Sequence, residues 1–572
     1  MLVILYGSQT GTAKGYAERV AYFGRRKFGV VSTIVDLKDV YDRSSLNSLL
    51  QSFEDSTQAV FVFVVATYGF GDATENATPF RNWIEREAKE SSPSMFQGWK
   101  GARYCVLGLG DSCYVDFAAM GEFTDKCLSQ LGALRLLDLV KVDADESLEE
   151  REKVFNGWKN SLFDSLPPFS IVNTLNSSNL DEVNIEFVDH PSDSQTTIKE
   201  KEHKYPVCSC KRICPDTIEI VIDIQKGTPS LTYLPGSTAL VVPQNSPVAV
   251  QKVAKLLRID LDQMILFSTN NKDTGQVAPS SSPCTLGTLL TEKYDLNAQP
   301  TFYFLEEMLI LFHELKSGAA SSAFSTTLEA VSSVKEFSMS QLGTLLQLLP
   351  RIQPRSYTIA SSPECDPGKI RLCIKLEKDI NLERDGRSVH GLASSYFESI
   401  FEKYEVGERP EVSLSIVGSP LSRKIPHMIE SAPIVIIAGG TGIAAARTIL
   451  EHRRSIGMTD HSVMIFLGFK NENSFLYREE FDDTVLDSEN VEIYVAYSRP
   501  DRKSGFKKQY VQNLLDQQKN KLRNIIEKSA SLVICGSKRL CSGTSSKLKE
   551  IVGVDTYERL KQERRLVTEK FA

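Results

Sequence analysis

Six residues, Ser8-Gln9-Thr10-Gly11-Thr12-Ala13, follow the apolar run Leu2–Tyr6 and Gly7, and none of them is charged. A phosphate monoester needs many donors in a small space. A tight loop leading into a helix supplies backbone N–H groups and a favourable dipole. Ser8, Thr10 and Thr12 add hydroxyls, and Gly7 and Gly11 let the backbone come close. The loop lacks the lysine of a nucleoside-triphosphate loop, so it suits a phosphate that is bound and not transferred. Taken alone, it also fits a plain Gly/Ser turn. Two further loops, Ala66-Thr67-Tyr68-Gly69-Phe70-Gly71-Asp72 and Leu107-Gly108-Leu109-Gly110-Asp111-Ser112-Cys113-Tyr114, end later apolar runs and each carries a tyrosine. Tyr68 and Tyr114 can sandwich a planar ring, at about 0.5–1.5 kcal/mol per aromatic contact.

A second set of chemistry-bearing residues lies downstream. Arg355-Ser356-Tyr357-Thr358 puts a cation, an aromatic and a hydroxyl within four residues. On a strand Arg355 and Tyr357 share a face, and the rigid guanidinium fork suits a pyrophosphate. By itself the tetrapeptide reads equally as an exposed strand, but Gly391-Leu392-Ala393-Ser394-Ser395 then opens a helix, which is another anion-binding start. Ile434–Ala438 leads into Gly439-Gly440-Thr441-Gly442-Ile443, a strand, Gly-rich turn and helix. Past a strand at Val491–Tyr497 come Ser498, Arg499, Lys508 and Tyr510, able to close on a 2′-phosphate through charge-assisted hydrogen bonds. That pattern favours NADPH over NADH. Arg502, Lys503 and Lys507 crowd the same stretch, so a solvated basic loop is the competing reading. Leu532-Val533-Ile534-Cys535-Gly536 is one more strand ending in a loop.

These sites need strands that end together. At 572 residues the chain has room for three or four domains. It is 41% hydrophobic and 24% charged, an ordinary globular composition, and its net charge of −7 argues against nucleic-acid binding. The apolar runs fall short of the ~20 residues that span a bilayer, and no basic segment marks a secretory signal. Eleven cysteines in this length are not a disulfide framework. A cytoplasmic, reducing setting is expected. Cys208, Cys210 and Cys214 lack paired zinc-ligand spacing, so a cysteine-bearing strand is the reading and no metal is expected.

Strands at Leu2–Tyr6, Ala59–Ala66 and Tyr104–Leu107 alternate with helices near Ala13–Lys27, Pro79–Lys89 and Ala118–Leu131. This is a doubly wound sheet with ligands at the carboxyl ends of its strands. Pro167-Pro168 and a polar stretch read as a linker without a core. Strand-like alternation, interrupted by a helical segment, then reads as a β-barrel with an insert, and βα alternation resumes from Pro433. The expected α/β multidomain order is a flavodoxin-like sheet at 1–166, a linker at 167–203, a barrel at 204–427 with a helical insert at about 250–346, and a Rossmann-like domain at 428–572.

The three early loops, with Phe117-Ala118-Ala119-Met120-Gly121, resemble the FMN domain of the diflavin reductases. Arg355–Thr358 followed by Gly391–Ser394 resembles the FAD domain of the ferredoxin–NADP reductase family. The resemblance covers nearly the whole chain and is nearest to the NADPH–cytochrome P-450 reductase type. It implies FMN held by Ser8, Gln9, Thr10, Gly11, Thr12, Ala13, Thr67, Gly69, Gly71, Leu109, Gly110, Asp111 and Phe117, between Tyr68 and Tyr114. Asp145 falls where the family has an acidic FMN-contacting loop. FAD falls to Arg355, Ser356, Tyr357, Thr358, Gly391, Leu392, Ala393 and Ser394. NADPH falls to Gly440, Thr441, Ser498, Arg499, Lys508, Tyr510 and Gln512. Thr358, Cys535, Glu569 and Phe571 are implied at the nicotinamide. Here Glu569 stands for the family's usual Asp, Phe571 for its usual Trp, Ser537 for an acid and Ala445 for a proline.

The implied activity is hydride transfer from NADPH to FAD, then single electrons to FMN and to an acceptor protein with haem or an iron–sulfur centre. A monomer without a membrane anchor is expected. Gly110–Tyr114 looks more like the soluble branches, so a reductase for iron–sulfur assembly or for sulfite reduction stays open. So does a non-catalytic flavodoxin-like binding module. One FMN and one FAD per chain are expected. Tyr114→Asp should remove FMN and leave FAD, because a charge cannot stack on the ring. Flavin extraction that showed FAD lost instead would reverse the assignment of the two halves.

Overall fold

Leu2–Gly7, Val60–Tyr68 and Arg103–Gly110 are apolar at almost every position because both of their faces are covered. In the computed structural model they are central strands of a parallel sheet. Val3, Leu5, Phe61 and Phe63 pack on one face with Trp83 and Trp99, while Leu2, Ile4, Val60 and Val62 pack on the other with Tyr16 and Phe155. Ser32–Asp36 pairs with Leu2–Gly7, then come Val60–Tyr68 and Arg103–Gly110, with Leu134–Arg135 and Val140–Asp143 both against the last. Helices Thr12–Phe28, Thr78–Lys89, Ala119–Gln130 and Leu148–Ser165 cover the faces. This is the expected flavodoxin-like order.

The structure describes residues 2–9, 11–30, 32–51, 59–68, 71–89, 99–112, 116–166, 183–188, 204–269, 283–298, 300, 304–305, 308, 326–334, 337–377, 380–381, 388–389, 391–429, 433–458, 461–487, 489–501 and 505–571. Thr10, Gly69 and Tyr114 lie outside them, as do much of the expected linker and part of the expected insert. The chain divides into two compact units, one mainly Met1–Asn184 and the other mainly Ile185–Phe267 with Pro279–Ala572.

In the second unit six antiparallel strands run in the order Arg355–Thr358, Thr238–Val241, Glu411–Val417, Lys204–Cys214, Thr217–Asp223, Lys369–Lys375. A bridge between Ile359 and Leu372 ties the last strand back to the first, so the sheet closes into a barrel. Its interior holds Ile218, Ile220, Ile222, Leu372 and Phe397. Cys208, Cys210 and Cys214 sit on the barrel strand Lys204–Cys214, the last two buried. Two short strands, Met264–Thr269 and Cys284–Thr285, stand among the helices Pro247–Leu257, Leu286–Glu292, Thr327–Ser332 and Leu342–Leu348.

The polar stretch read as a coreless linker is not without structure. Val183–Val188 is a strand in a three-stranded sheet with Met264–Thr269 and Cys284–Thr285. Val183, Ile185 and Phe187 carry a period-two pattern, and the surrounding Asn, Ser and Asp residues hid it.

A five-stranded parallel sheet follows, in the order Val491–Tyr497, Val463–Phe469, Ile434–Gly439, Ser531–Ser537, Leu566–Phe571. Its helix Ile443–Ser455 lies against the barrel. Arg447 donates through Nη1 to the Ala360 carbonyl at 2.5 Å, Thr448 donates to the Ser361 carbonyl at 2.9 Å, and the Ser362 amide donates to Glu451 at 2.6 Å. His452 Nδ1 meets Glu364 at 2.8 Å. Four contacts along one helix fix barrel and sheet as neighbours.

Candidate functional sites at the strand ends

Gly7 is level with Val65, Ala66 with Leu109, and Gly110 with Asp143, so the three early loops leave one sheet edge together. Ser8 Oγ accepts the Ala13 amide at 3.2 Å, closing the first loop onto its 17-residue helix, whose first turn has no acid. Gly11 adopts φ +90°, a conformation that favours glycine. In the second loop Thr67 Oγ1 accepts the Met120 amide at 3.1 Å. Gly71 has φ +82°, and a Cβ there would stand 2.7 Å from that of Asp116. At Gly110 a Cβ would meet the Ala118 nitrogen at 2.5 Å. Lys141 Nζ sits 5.3 Å over the Phe117 ring. Tyr68 and Asp111 are half-buried, and Leu109 is buried.

Sequence reasoning missed the residues that brace these loops. Asn76 Oδ1 accepts the Ser8 amide at 2.9 Å and the Thr74 hydroxyl at 2.7 Å, while its Nδ2 donates to Asp36 at 2.8 Å. The Glu75 amide donates to Gln9 Oε1 at 3.0 Å. Near Asp145 it is Asp143 that ties the third loop, accepting the Ser112 and Asp145 amides at 2.9 and 2.8 Å. The only signal was Asn and Asp in short polar turns, which are common in any loop. Amides and hydroxyls at an uncharged helix start fit a flavin mononucleotide phosphate.

In the barrel, Tyr357 meets Phe397 edge-on at 5.4 Å, and burial pushes its phenol up to about 12. Arg355 spends part of its fork inside the protein, donating to the Gln353 carbonyl at 2.7 Å and to buried Asp295 at 3.4 Å. Helix Leu392–Glu405 starts at Gly391 with no side-chain cap and no acid in its first turn. Ser394 Oγ accepts the Glu377 amide at 2.9 Å, Leu392 is buried, Ala393 is half-buried and Ser356 is exposed. The uncapped turn near a cation and an aromatic fits a flavin pyrophosphate.

The Gly-rich turn of the parallel sheet is set by close packing. A Cβ on Gly442 would come within 2.4 Å of the Cys535 carbonyl oxygen, and Gly440 has φ +55°. Thr441 stays half-buried beside it. At the next strand ends the Ser498 and Arg499 amides donate to Phe469 and Lys470 at 3.0 and 2.7 Å. The Gln509 amide donates to the Tyr497 carbonyl at 2.9 Å, which brings Lys508 and Tyr510 back to the same edge. Lys508 Nζ lies 5.8 Å over the Tyr510 ring. Arg499, Lys508 and Tyr510 are exposed, and Gln512 packs against Gly543. Two exposed cations beside a hydroxyl fit a 2′-phosphate.

Thr358, Cys535 and Glu569 come together from three strands. Thr358 donates to Glu569 Oε2 at 3.1 Å, and Cys535 is level with Glu569. Glu569 Oε1 has no hydrogen-bond partner. Burial raises the Glu569 carboxyl above its ordinary value, against weaker opposition from the Ser419 and Thr358 hydroxyls and the Leu421 amide. Burial first, and Glu569 second, push the Cys535 thiol up. Phe571 is no loose tail: it ends a paired strand level with Ser537, on the same face as Glu569. An unpartnered carboxyl oxygen among buried neutral groups fits the approach of a polar ring such as nicotinamide.

Comparison with known proteins agrees with this order of sites. Residues 4–158 match the flavodoxin family model, residues 211–317 and 312–396 the FAD binding domain, and residues 436–546 the oxidoreductase NAD-binding domain. The NADPH–cytochrome P450 reductase of Homo sapiens is 27% identical over 94% of this chain and 82% of that protein. The protein of the same name from Candida maltosa is 25% identical over 96% of this chain and 87% of its own length.

The chain belongs to the diflavin NADPH reductases.

FMN, FAD and NADPH are its cofactors. Among the described residues no helix of this diflavin reductase is long and apolar enough to cross a membrane.

The state of Glu569 gives a test. Its folded value is raised, so the fold prefers the protonated form. That contribution is full below the ordinary value of 4.5 and is lost as pH rises through the folded value. Glu569→Gln stays neutral throughout. Its thermal midpoint should therefore gain on that of the unaltered protein as pH is raised from 4 towards 8. A gain in the opposite direction would mean that the carboxylate is compensated in the fold.

Proposed function

We propose that this diflavin reductase delivers its electrons to a haem protein of the cytochrome P450 kind, as a cytoplasmic monomer. The curated relatives that align along almost the whole chain bear that acceptor in their names. Hydride chemistry and one-electron chemistry are supplied by the nicotinamide and flavins when bound. The protein's part is to hold, orient and shield them.

The observation that carries the reading is the meeting of Thr358, Cys535 and Glu569 where barrel and parallel sheet adjoin. Thr358 lies on the strand of Arg355 and Tyr357, assigned to FAD. Cys535 and Glu569 lie on the sheet whose loops are assigned to NADPH. One hydrogen bond thus joins the two assignments. Glu569, whose carboxyl is raised above its ordinary value by burial, orients a polar ring. Phe571 covers the same face and must give way when nicotinamide lands.

Within these roles, Ser8–Ala13 hold the FMN phosphate with Tyr68 and Tyr114 at the ring. Arg355, Tyr357 and the Gly391–Ser394 turn hold FAD. Ser498, Arg499 and Lys508 read the 2′-phosphate. The regions are 1–166 for FMN, 204–427 for FAD and 428–572 for NADPH.

A hydrogen bond to a charged group is worth about 1.5–3 kcal/mol, so Arg499→Ala should raise the Michaelis constant for NADPH at least about tenfold. NADH should be little affected. Equal losses for both nicotinamides would give Arg499 a structural role. For the acceptor, the purified reductase should reduce a carbon-monoxide-bound cytochrome P450 with NADPH in stopped flow. Flavins that are bleached while the haem stays oxidised, with electrons passing to an iron–sulfur protein instead, would overturn the choice of acceptor.

A further inference from the structure

A cavity lies at the amino-terminal ends of the strands of the five-stranded parallel sheet. It has a volume of about 560 Å³ and lies between helix Ile443–Ser455, helix Arg478–Asp487 and the first residues of strands Val463–Phe469 and Val491–Tyr497. That size is within the range of small-molecule sites. The nicotinamide-binding loops leave the far ends of these seven-residue strands, roughly 20 Å away at about 3.3 Å per residue.

Three arginines line the cavity, Arg447, Arg453 and Arg454, and the first two are buried. Arg447 is buried but fully engaged: it donates to the Ala360 carbonyl and to Glu480, and it pairs with Glu451. Arg453 is only 4% exposed, and its Nη2 donates to the His461 carbonyl at 3.1 Å. Its Nη1 has no hydrogen-bond partner, and among the described residues no acid pairs with it. Burial, with no opposing charge, pushes its guanidinium down. A buried charge without a counter-charge is costly and rare unless something supplies one. Leu450, Met458, Val463, Phe481 and Val491 give the cavity an apolar wall, and Arg454, His461, Asp483 and Thr484 complete the lining.

We propose that this cavity binds a small amphipathic anion, a single carboxylate or phosphate head at Arg453 Nη1 with a short apolar body against Leu450, Met458 and Phe481. The guanidinium fork suits either head, since both present paired oxygens to adjacent N–H groups. Glu451 and Glu480, already committed to Arg447, and Asp483 hold the neighbouring wall negative and so disfavour a second negative charge on the body. The anion binds without displacing NADPH because its head lies at the other end of the strands.

Isothermal titration of the full-length protein, carrying its flavins, with octanoate, octyl phosphate and octan-1-ol tests the site. At least one anion should bind in the sub-millimolar range and raise the thermal midpoint, with octan-1-ol at least tenfold weaker. Comparing octanoate with octyl phosphate tells which head the site takes. Arg453→Met should lose at least tenfold in affinity for that anion. Leu450→Trp, which fills the cavity and leaves Arg453 in place, should lose it too and decides the matter if Arg453→Met does not fold. The Michaelis constant for NADPH should be unchanged at saturating anion. No binding by either anion, equal binding by octan-1-ol, unchanged affinity in both variants, or competition with NADPH would each overturn the proposal.

Discussion

The proposed nicotinamide site depends on Glu569, a carboxyl group buried without a counter-charge. Glu569 takes the Thr358 hydroxyl on one oxygen and leaves the other unpartnered. A buried carboxylate in that state is expensive unless it is neutralised or a ligand completes it. The neighbours allow both. Cys535 beside it is an uncharged thiol, and the Ser419 hydroxyl is close enough to act on its proton affinity. Barrel and sheet must stay in register for the contact to exist, and the row Arg447, Thr448, Glu451 and His452 along one helix keeps them there.

One architectural rule governs both parallel sheets. In a parallel sheet the helix starts and loop amides gather at the carboxyl ends of the strands. The flavodoxin-like unit brings three such ends to one edge, the site proposed for one flavin, and the second sheet brings together those proposed for the dinucleotide. Close packing then selects glycine where a side chain cannot enter, as at Gly110 against Ala118 and at Gly442 against the Cys535 carbonyl. The barrel solves a different problem: its antiparallel strands close on themselves, and the proposed donors are Arg355–Thr358 and the turn before Leu392.

Much of this was legible in the sequence because its signals are local. Leu2–Tyr6 running into Gly7–Ala13 states strand, loop and helix within a dozen residues, and Ile434–Ile443 does the same. The buried runs needed no alternation to be recognised as central strands. What escaped were contacts between distant segments. Asn76 bracing Ser8, Asp143 tying Ser112, and Arg447 reaching Ala360 depend on the tertiary path, and an Asn, Asp or Arg in a polar turn or helix looks like any other. The strand Val183–Val188 escaped for a converse reason: its period-two pattern is short and sits within a stretch of linker composition. Phe571 was assigned by family likeness, and its place at the end of a strand paired with Ser531–Ser537 is a long-range pairing that the last two residues alone did not signal.

The departures at Ser537, Glu569 and Phe571 fall on two adjacent strands of the five-stranded sheet and Ala445 on the helix Ile443–Ser455, while the phosphate loops keep their hydroxyl-bearing residues. The central claim is that the proposed nicotinamide site still transfers hydride. Anaerobic titration of the purified protein with NADPH, followed by flavin absorbance, tests it most directly. The account predicts bleaching of both flavins, FAD first and FMN after it. A protein that carries both flavins and is not bleached by NADPH would contradict it.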